Sequence, residues 1–212
     1  SSDVCSSDLE AKMEAAVVGV LTDILCFVEG STEKQRAMYR NGAIATSIAN
    51  LLQNMGGSAL VCERSLQVVA VICRHSDENK ASVSYENARS FGQAGLCEII
   101  PFILKNHAGK YGVVASICDA IRCLCCLESN RNRFLQSDTC EALGSCLTKY
   151  SNSNEVSCWV CRALGHLTLS SDDAREVVGS AGACQMIVDL LQKYESNVGV
   201  CTEACWAIRN MA

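Results

Sequence analysis

The chain has 212 residues, enough for one domain or a short repeat array. Hydrophobic residues make up 49% and charged residues 19%, which excludes a disordered chain and allows a large buried core. One proline, 5% aromatics and a net charge of −5 argue against collagen, Pro-rich linkers and turn-dense β-sandwiches, and against a general affinity for nucleic acid or anionic membrane.

Residues 1–9 are polar and lack a basic stretch ahead of an apolar run, so they do not read as a signal peptide. Their string, Ser1-Ser2-Asp3-Val4-Cys5-Ser6-Ser7-Asp8-Leu9, looks like translated sequencing-adapter sequence and is expected to be a disordered, non-native leader. The longest apolar run, 15–28, is broken by Gly19, Thr22 and Asp23 and falls short of the roughly 18 residues a membrane helix needs. It reads as a partial helical unit.

Beyond it the sequence repeats. Asn41-Gly42-Ala43-Ile44, Ala94-Gly95-Leu96-Cys97, Ser137-Asp138-Thr139-Cys140 and Ala181-Gly182-Ala183-Cys184 share one pattern, with anchors at 42, 95, 138 and 182. The periods are 53, 43 and 44 residues, two of them inside the forty-to-forty-seven window of helical solenoid repeats. About 25 residues after each anchor comes a second block: Leu66–Cys73, then 118–125, 161–168 and 205–212. Its apolar residues recur at i, i+2, i+3 and i+6, a broad buried stripe on a helix rather than an alternating strand.

Each unit therefore parses into three helices. The first unit has 33–39, 43–52 and a third helix carrying 66–73; an inserted surface loop, 75–85, accounts for its longer period. The second has 86–91, 97–104 and the block 118–125, with Pro101 expected in or near the first turn of its middle helix, where proline costs least. The third has 130–135, 140–149 and the block 161–168, and the fourth 172–178, 184–194 and the block 205–212. Gly42, Gly95 and Gly182 supply turns that need positive φ.

The string Ala181-Gly182-Ala183-Cys184 with Glu203-Ala204-Cys205-Trp206-Ala207-Ile208-Arg209-Asn210-Met211-Ala212 resembles the armadillo repeat family, in its glycine-containing helix turn and its third-helix Trp-Ala-Leu-x-Asn block. The resemblance covers about 10–212. It implies an all-α fold, a right-handed α-solenoid of three-helix repeats, with about four units after the partial one and truncation at both ends. It also implies that third helices line a concave groove binding a protein or extended peptide. A truncated array is expected to expose apolar surface and self-associate.

In the family the third-helix Trp and the Asn four residues later face the groove. Those positions fall on Trp206 and Asn210, then on Arg162 and His166, Asp119 and Cys123, and Gln67 and Val71. The candidate groove residues are therefore Gln67, Asp119, Arg162, His166, Trp206 and Asn210. Only the last unit keeps the Trp/Asn pair, a departure from nuclear-import adaptors that repeat it to grip basic peptides. That adaptor activity is the further alternative. Trp159 reads as core or inter-repeat packing, with groove exposure as the alternative.

Sixteen cysteines raise a competing chemistry. Cys118, Cys161 and Cys205 share a repeat column with Leu66, and Cys97, Cys140 and Cys184 share one with Ile44, so both columns are apolar. Column mates on packed helices stand about 8–10 Å apart, beyond the roughly 7 Å reach of a disulfide. Most cysteines then read as small core residues in a reducing compartment, the cytoplasm or the nucleus. The alternative is a metal or redox module built from the C-x-x-C pairs Cys123/Cys126 and Cys158/Cys161, both expected inside helices.

Nothing else suggests catalysis. There is no phosphate-cradling glycine loop and no dinucleotide fingerprint. His75, His107 and His166 have no nucleophile and acid in a recognisable local arrangement, and His107 is read as solvated in a polar loop. The chain is expected to be a non-enzymatic scaffold without a cofactor.

Overall fold

The computed structural model describes residues 2–29, 38, 42–74, 81–169 and 171–212. Among them every regular element is a helix. In chain order these are α1 (Ser2–Val28), α2 (Ala43–Met55), α3 (Ala59–Cys73), α4 (Ala81–Gln93), α5 (Leu96–Asn106), α6 (Tyr111–Leu124), α7 (Glu128–Leu135), α8 (Thr139–Lys149), α9 (Asn154–Leu167), α10 (Asp172–Ser180), α11 (Ala183–Lys193) and α12 (Val198–Met211). None is long and apolar enough to cross a membrane.

Local chemistry fixes the boundaries. Gly42, Gly95 and Gly182 sit at φ 52, 84 and 78, so the chain turns into α2, α5 and α11 through left-handed backbone that side chains resist. Asp138 takes that place before α8 at φ −72, without positive φ. Ser58, Ser153 and Asn197 cap α3, α9 and α12 by accepting from the backbone N–H groups of Val61, Val156 and Val200. These caps end the polar stretches that separate second from third helices.

The helices stack in three rows. Third helices form one, with α1 on α3, α3 on α6, α6 on α9 and α9 on α12; α2, α5, α8 and α11 form another, and α4, α7 and α10 the last. This is an α-solenoid, in which each unit buries its apolar stripe against its neighbours. Leu66, Ile117, Leu124, Phe91 and Phe134 are fully buried between rows.

Short first helices tie consecutive units together. The Asn87 amide donates to the Ile72 carbonyl at 3.0 Å, at the end of α3. One unit on, buried Asn130 donates to the Leu124 carbonyl at 3.1 Å and to Ala88 at 2.8 Å, while Arg131 donates to Cys125 at 2.7 Å. Gly92 makes room for this: a methyl there would overlap the Asn130 carboxamide. Asn130→Ala is expected to leave both carbonyls short of a donor and to cost about 1.5 kcal/mol in urea unfolding. A change within about 0.5 kcal/mol would contradict the tie.

Several expectations change. The leader 1–9 opens helix α1 from Ser2 rather than forming disordered chain. The inserted segment 75–85 is helical from Ala81, because α4 starts five residues ahead of the expected 86; residues 75–80 lie outside the described residues, as does most of the expected helix 33–39. Pro101 sits in the second turn of α5, where its missing N–H deprives the Cys97 carbonyl of an intrahelical donor; the ring is buried, which offsets that loss. His107 is not solvated. It is 7% exposed, and its Nε2 lies 2.7 Å from the Gly56 carbonyl, bracing the end of α5 against the turn after α2. Tyr194, at the end of α11, makes the matching bond to the Ser151 carbonyl at 2.8 Å. The repeat register carries this tether, and a polar tract hides it.

Candidate protein-binding groove

Third helices present one strip of side chains in repeat register. Arg64, Ser116, Trp159 and Glu203 share a column; one turn on come Gln67, Asp119, Arg162 and Trp206. Between α3, α6 and α9 the strip encloses a depression of about 280 Å3. Gln67, Asp119 and Arg162 line it, as do Arg74, Arg122 and Trp159.

Ionic contacts organise its walls. Asp119 takes Arg74 on one oxygen at 3.0 Å, across the α3–α6 boundary, and Arg122 on the other at 2.7 Å. Arg162 pairs with Glu203 of α12, and that hydrogen bond holds the guanidinium pKa above its ordinary value. Gln67 is held from both sides on its own helix, accepting from Arg64 at 2.8 Å and donating to Glu63 at 3.4 Å. The side chains are therefore pre-positioned rather than freely rotating.

Trp159 is half-buried against Tyr111 of α6, ring centroids 4.9 Å apart and edge-on. It packs between units, the favoured reading, and it also forms a wall of the depression, the alternative one. Extending the repeat register one turn ahead of Gln67 would have found it. His166 and Trp206 stack one unit further along, with centroids 4.8 Å apart. Burial, reinforced by Arg122 and Arg162, drives the His166 pKa down to about 4, so the ring is neutral at physiological pH. Asn210 departs from the sequence picture. It is 8% exposed, its carbonyl accepts from Arg175 at 3.0 Å, and its Nδ2 is buried without a partner among the described residues.

The described cysteines from Cys26 to Cys205 are unpaired. Of the two columns, Leu66, Cys118 and Cys161 are buried, as are Cys97 and Cys140, whereas Cys184 and Cys205 are exposed. Cys126 lies past the end of α6, not within a helix. Cys123 spends its thiol on the Ala70 carbonyl at 3.5 Å. Burial pushes Cys123 and Cys161 up to about 12 and Cys126 to about 11, and raises Cys158 as well. Thiolates, the form that binds metal, are disfavoured at all four. No cluster of three or more Cys, His, Asp or Glu among the described residues is placed to hold an ion.

Stacked three-helix units with a side-chain-lined trough along one row define an α-solenoid of the armadillo type. Residues 171–212 match the family model described as Armadillo/beta-catenin-like repeat. No curated protein matches the chain. Among solved structures, an engineered protein from the Northeast Structural Genomics Consortium superposes with a TM-score of 0.76 at 19% identity, over 92% of this chain and 72% of that one. A second engineered protein from that consortium gives 0.75 at 21% identity, over 91% and 73%. A designed armadillo repeat protein in complex with the peptide (KR)4 gives 0.59 at 15% identity, over 92% of each chain. Residues 171–212 carry an armadillo-type repeat, and the chain as a whole shares the α-solenoid fold of these structures.

Proposed function

We propose that this chain is a non-enzymatic scaffold that holds an extended segment of a partner polypeptide along the trough formed by α3, α6, α9 and α12. The observation that carries the reading is the depression itself, where an aromatic wall from Trp159 stands among polar groups held by ion pairs and side-chain hydrogen bonds. Fixed polar groups recognise a peptide backbone with little ordering cost, and an exposed indole face accepts an apolar side chain. The designed solenoid that shares the fold is seen with a peptide. The unpaired cysteines fit a reducing compartment, and the cytoplasm is the setting proposed.

The competing readings have less behind them. A metal or redox module would need the four candidate thiols to converge, and no group of three or more ligand side chains among the described residues is placed to hold an ion. An adaptor for basic peptides would need a row of Trp/Asn pairs, and only Trp206 with Asn210 makes one.

Photo-crosslinking tests the groove. A benzophenone amino acid at position 67, on the trough, is expected to capture polypeptide in a cell extract; the same group at position 102, where Phe102 of α5 is 62% exposed, is not. Adding Trp159→Ala should cut the yield at position 67 about fivefold, the loss expected of an aromatic contact. Equal yields from both positions, or indifference to Trp159, would place partner binding elsewhere.

A further inference from the structure

The trough runs against the charge of the molecule that carries it. The chain is acidic, with a net charge of −5. Yet the depression between α3, α6 and α9 is lined by three arginines, Arg74, Arg122 and Arg162, and by one carboxylate, Asp119. Both oxygens of Asp119 are already taken, one by Arg74 and one by Arg122. Arg162 has its own counter-ion, Glu203. Each guanidinium carries five N–H donors in a fixed fork, and these pairs use only some of them. One carboxylate shared by two arginines leaves a cation uncompensated. The residual donors sit beside Trp159, in a depression with low-dielectric walls that concentrate the field.

From this geometry we infer that the partner segment is acidic: an extended polypeptide of another protein that seats an Asp or Glu carboxylate among Arg74, Arg122 and Arg162, with an apolar residue alongside on the Trp159–Tyr111 shelf. The inference rests on the groove reading above and adds the chemistry of the occupant. A carboxylate matches the planar fork of arginine in two parallel bonds, which a lysine-rich ligand cannot do. A basic peptide such as (KR)4 meets the three guanidiniums as like charges, and the Asp119 and Glu203 carboxylates it could pair with already accept from those arginines. The shelf distinguishes a peptide from a bare anion. Tyr111 meets Trp159 edge-to-face at 4.9 Å and backs the indole, which presents ring surface in the depression beside the cations. Arg74 is the most accessible member, its side chain 53% exposed at the end of α3, so it can be changed with little disturbance to packing.

The experiment uses fluorescein-labelled octapeptides and fluorescence anisotropy with the purified chain. The peptides are (Glu-Val)4 and (KR)4, with a thymidine octanucleotide as a non-peptide polyanion. (Glu-Val)4 is expected to bind at least about tenfold more tightly than (KR)4 and than the oligonucleotide, and to weaken several-fold as salt rises from roughly 50 to 300 mM. Arg74→Gln should weaken (Glu-Val)4 about fivefold while Arg74→Lys loses less, because charge is retained and the fork is not. Intrinsic fluorescence locates binding, since the two tryptophans, Trp159 and Trp206, both belong to third helices of the trough. If (KR)4 or the oligonucleotide binds as tightly as (Glu-Val)4 and perturbs the indoles, the trough binds ligands and the acidic assignment is wrong. If Arg74→Gln leaves (Glu-Val)4 unaffected, the assignment is likewise wrong. Binding of (Glu-Val)4 that leaves both indoles unchanged would overturn the groove reading together with this one.

Discussion

Gly165→Ala is expected to destabilise the protein by about 3 kcal/mol, a fall of about 9 °C in melting temperature for a chain of this size. The cause is a close crossing of α9 and α12. A Cβ on Gly165 would stand 2.6 Å from the Trp206 Cε3 atom and 3.1 Å from the Ala207 Cα. The first contact can be relieved if the indole swings away, but that unstacks it from His166. The second is with backbone, so relief requires the two helices to separate. Thermal unfolding followed by circular dichroism measures the loss, and tryptophan emission reports the displaced ring by a red shift. In the double variant with Trp206→Ala the penalty of Gly165→Ala should shrink but not vanish, because the Ala207 backbone contact remains. An unchanged melting temperature in the single variant would mean that α9 and α12 are not packed this closely.

The same crossing shows what the sequence reveals and what it hides. The rows of helices were legible because their signals are periodic. Glycine at 42, 95 and 182 recurs at the turn, and the apolar block recurs on each third helix, so an error at one unit is corrected by the next. Helix type and order followed from that, with boundaries off by a few residues. The groove was half legible. Gln67, Asp119 and Arg162 were reached by carrying the Trp206 column backwards through the repeats, and they line the depression. Trp159 had the groove only as its second reading and Arg74 was not reached, because they stand one turn before and two turns after that column, where no motif flags them. Asn210 fell where the family motif predicted along the helix, yet it is buried, since its depth depends on how α12 and α10 meet rather than on its own helix. His107 was misjudged for a related reason. Its polar neighbours in sequence say nothing of the Gly56 carbonyl, 51 residues earlier, that it reaches. Local pattern determines helices; which polar side chains are tied down depends on contacts one repeat away.

His166 provides the second large effect, and its sign follows from its surroundings. The ring is withdrawn from solvent between α9 and the face of Trp206, with Arg122, Arg162 and Arg131 disfavouring a proton and Glu203 alone favouring one, and its pKa falls to about 4. In the unfolded chain it titrates near 6.5. Above about pH 6.5 the ring is neutral in both states and contributes no pH dependence. Between 6.5 and 4 the unfolded chain binds the proton and the folded chain does not, so stability falls as pH falls; below about 4 both are protonated and the loss stops. Allowing for the ring's partial contact with solvent, the loss between pH 7 and 5 should be about 1.5 kcal/mol. His166→Phe keeps a ring against Trp206 and removes the titration, so the difference between the two proteins in urea unfolding at pH 7 and pH 5 isolates the effect from the carboxylates. A difference that stays constant over that range would show the imidazole to be as free to protonate as in solution. An NMR titration of the imidazole should place its midpoint well below 5. A neutral His166 also means that the trough keeps the same charge throughout the neutral range. Its three arginines, not the histidine, then set its electrostatics under physiological conditions.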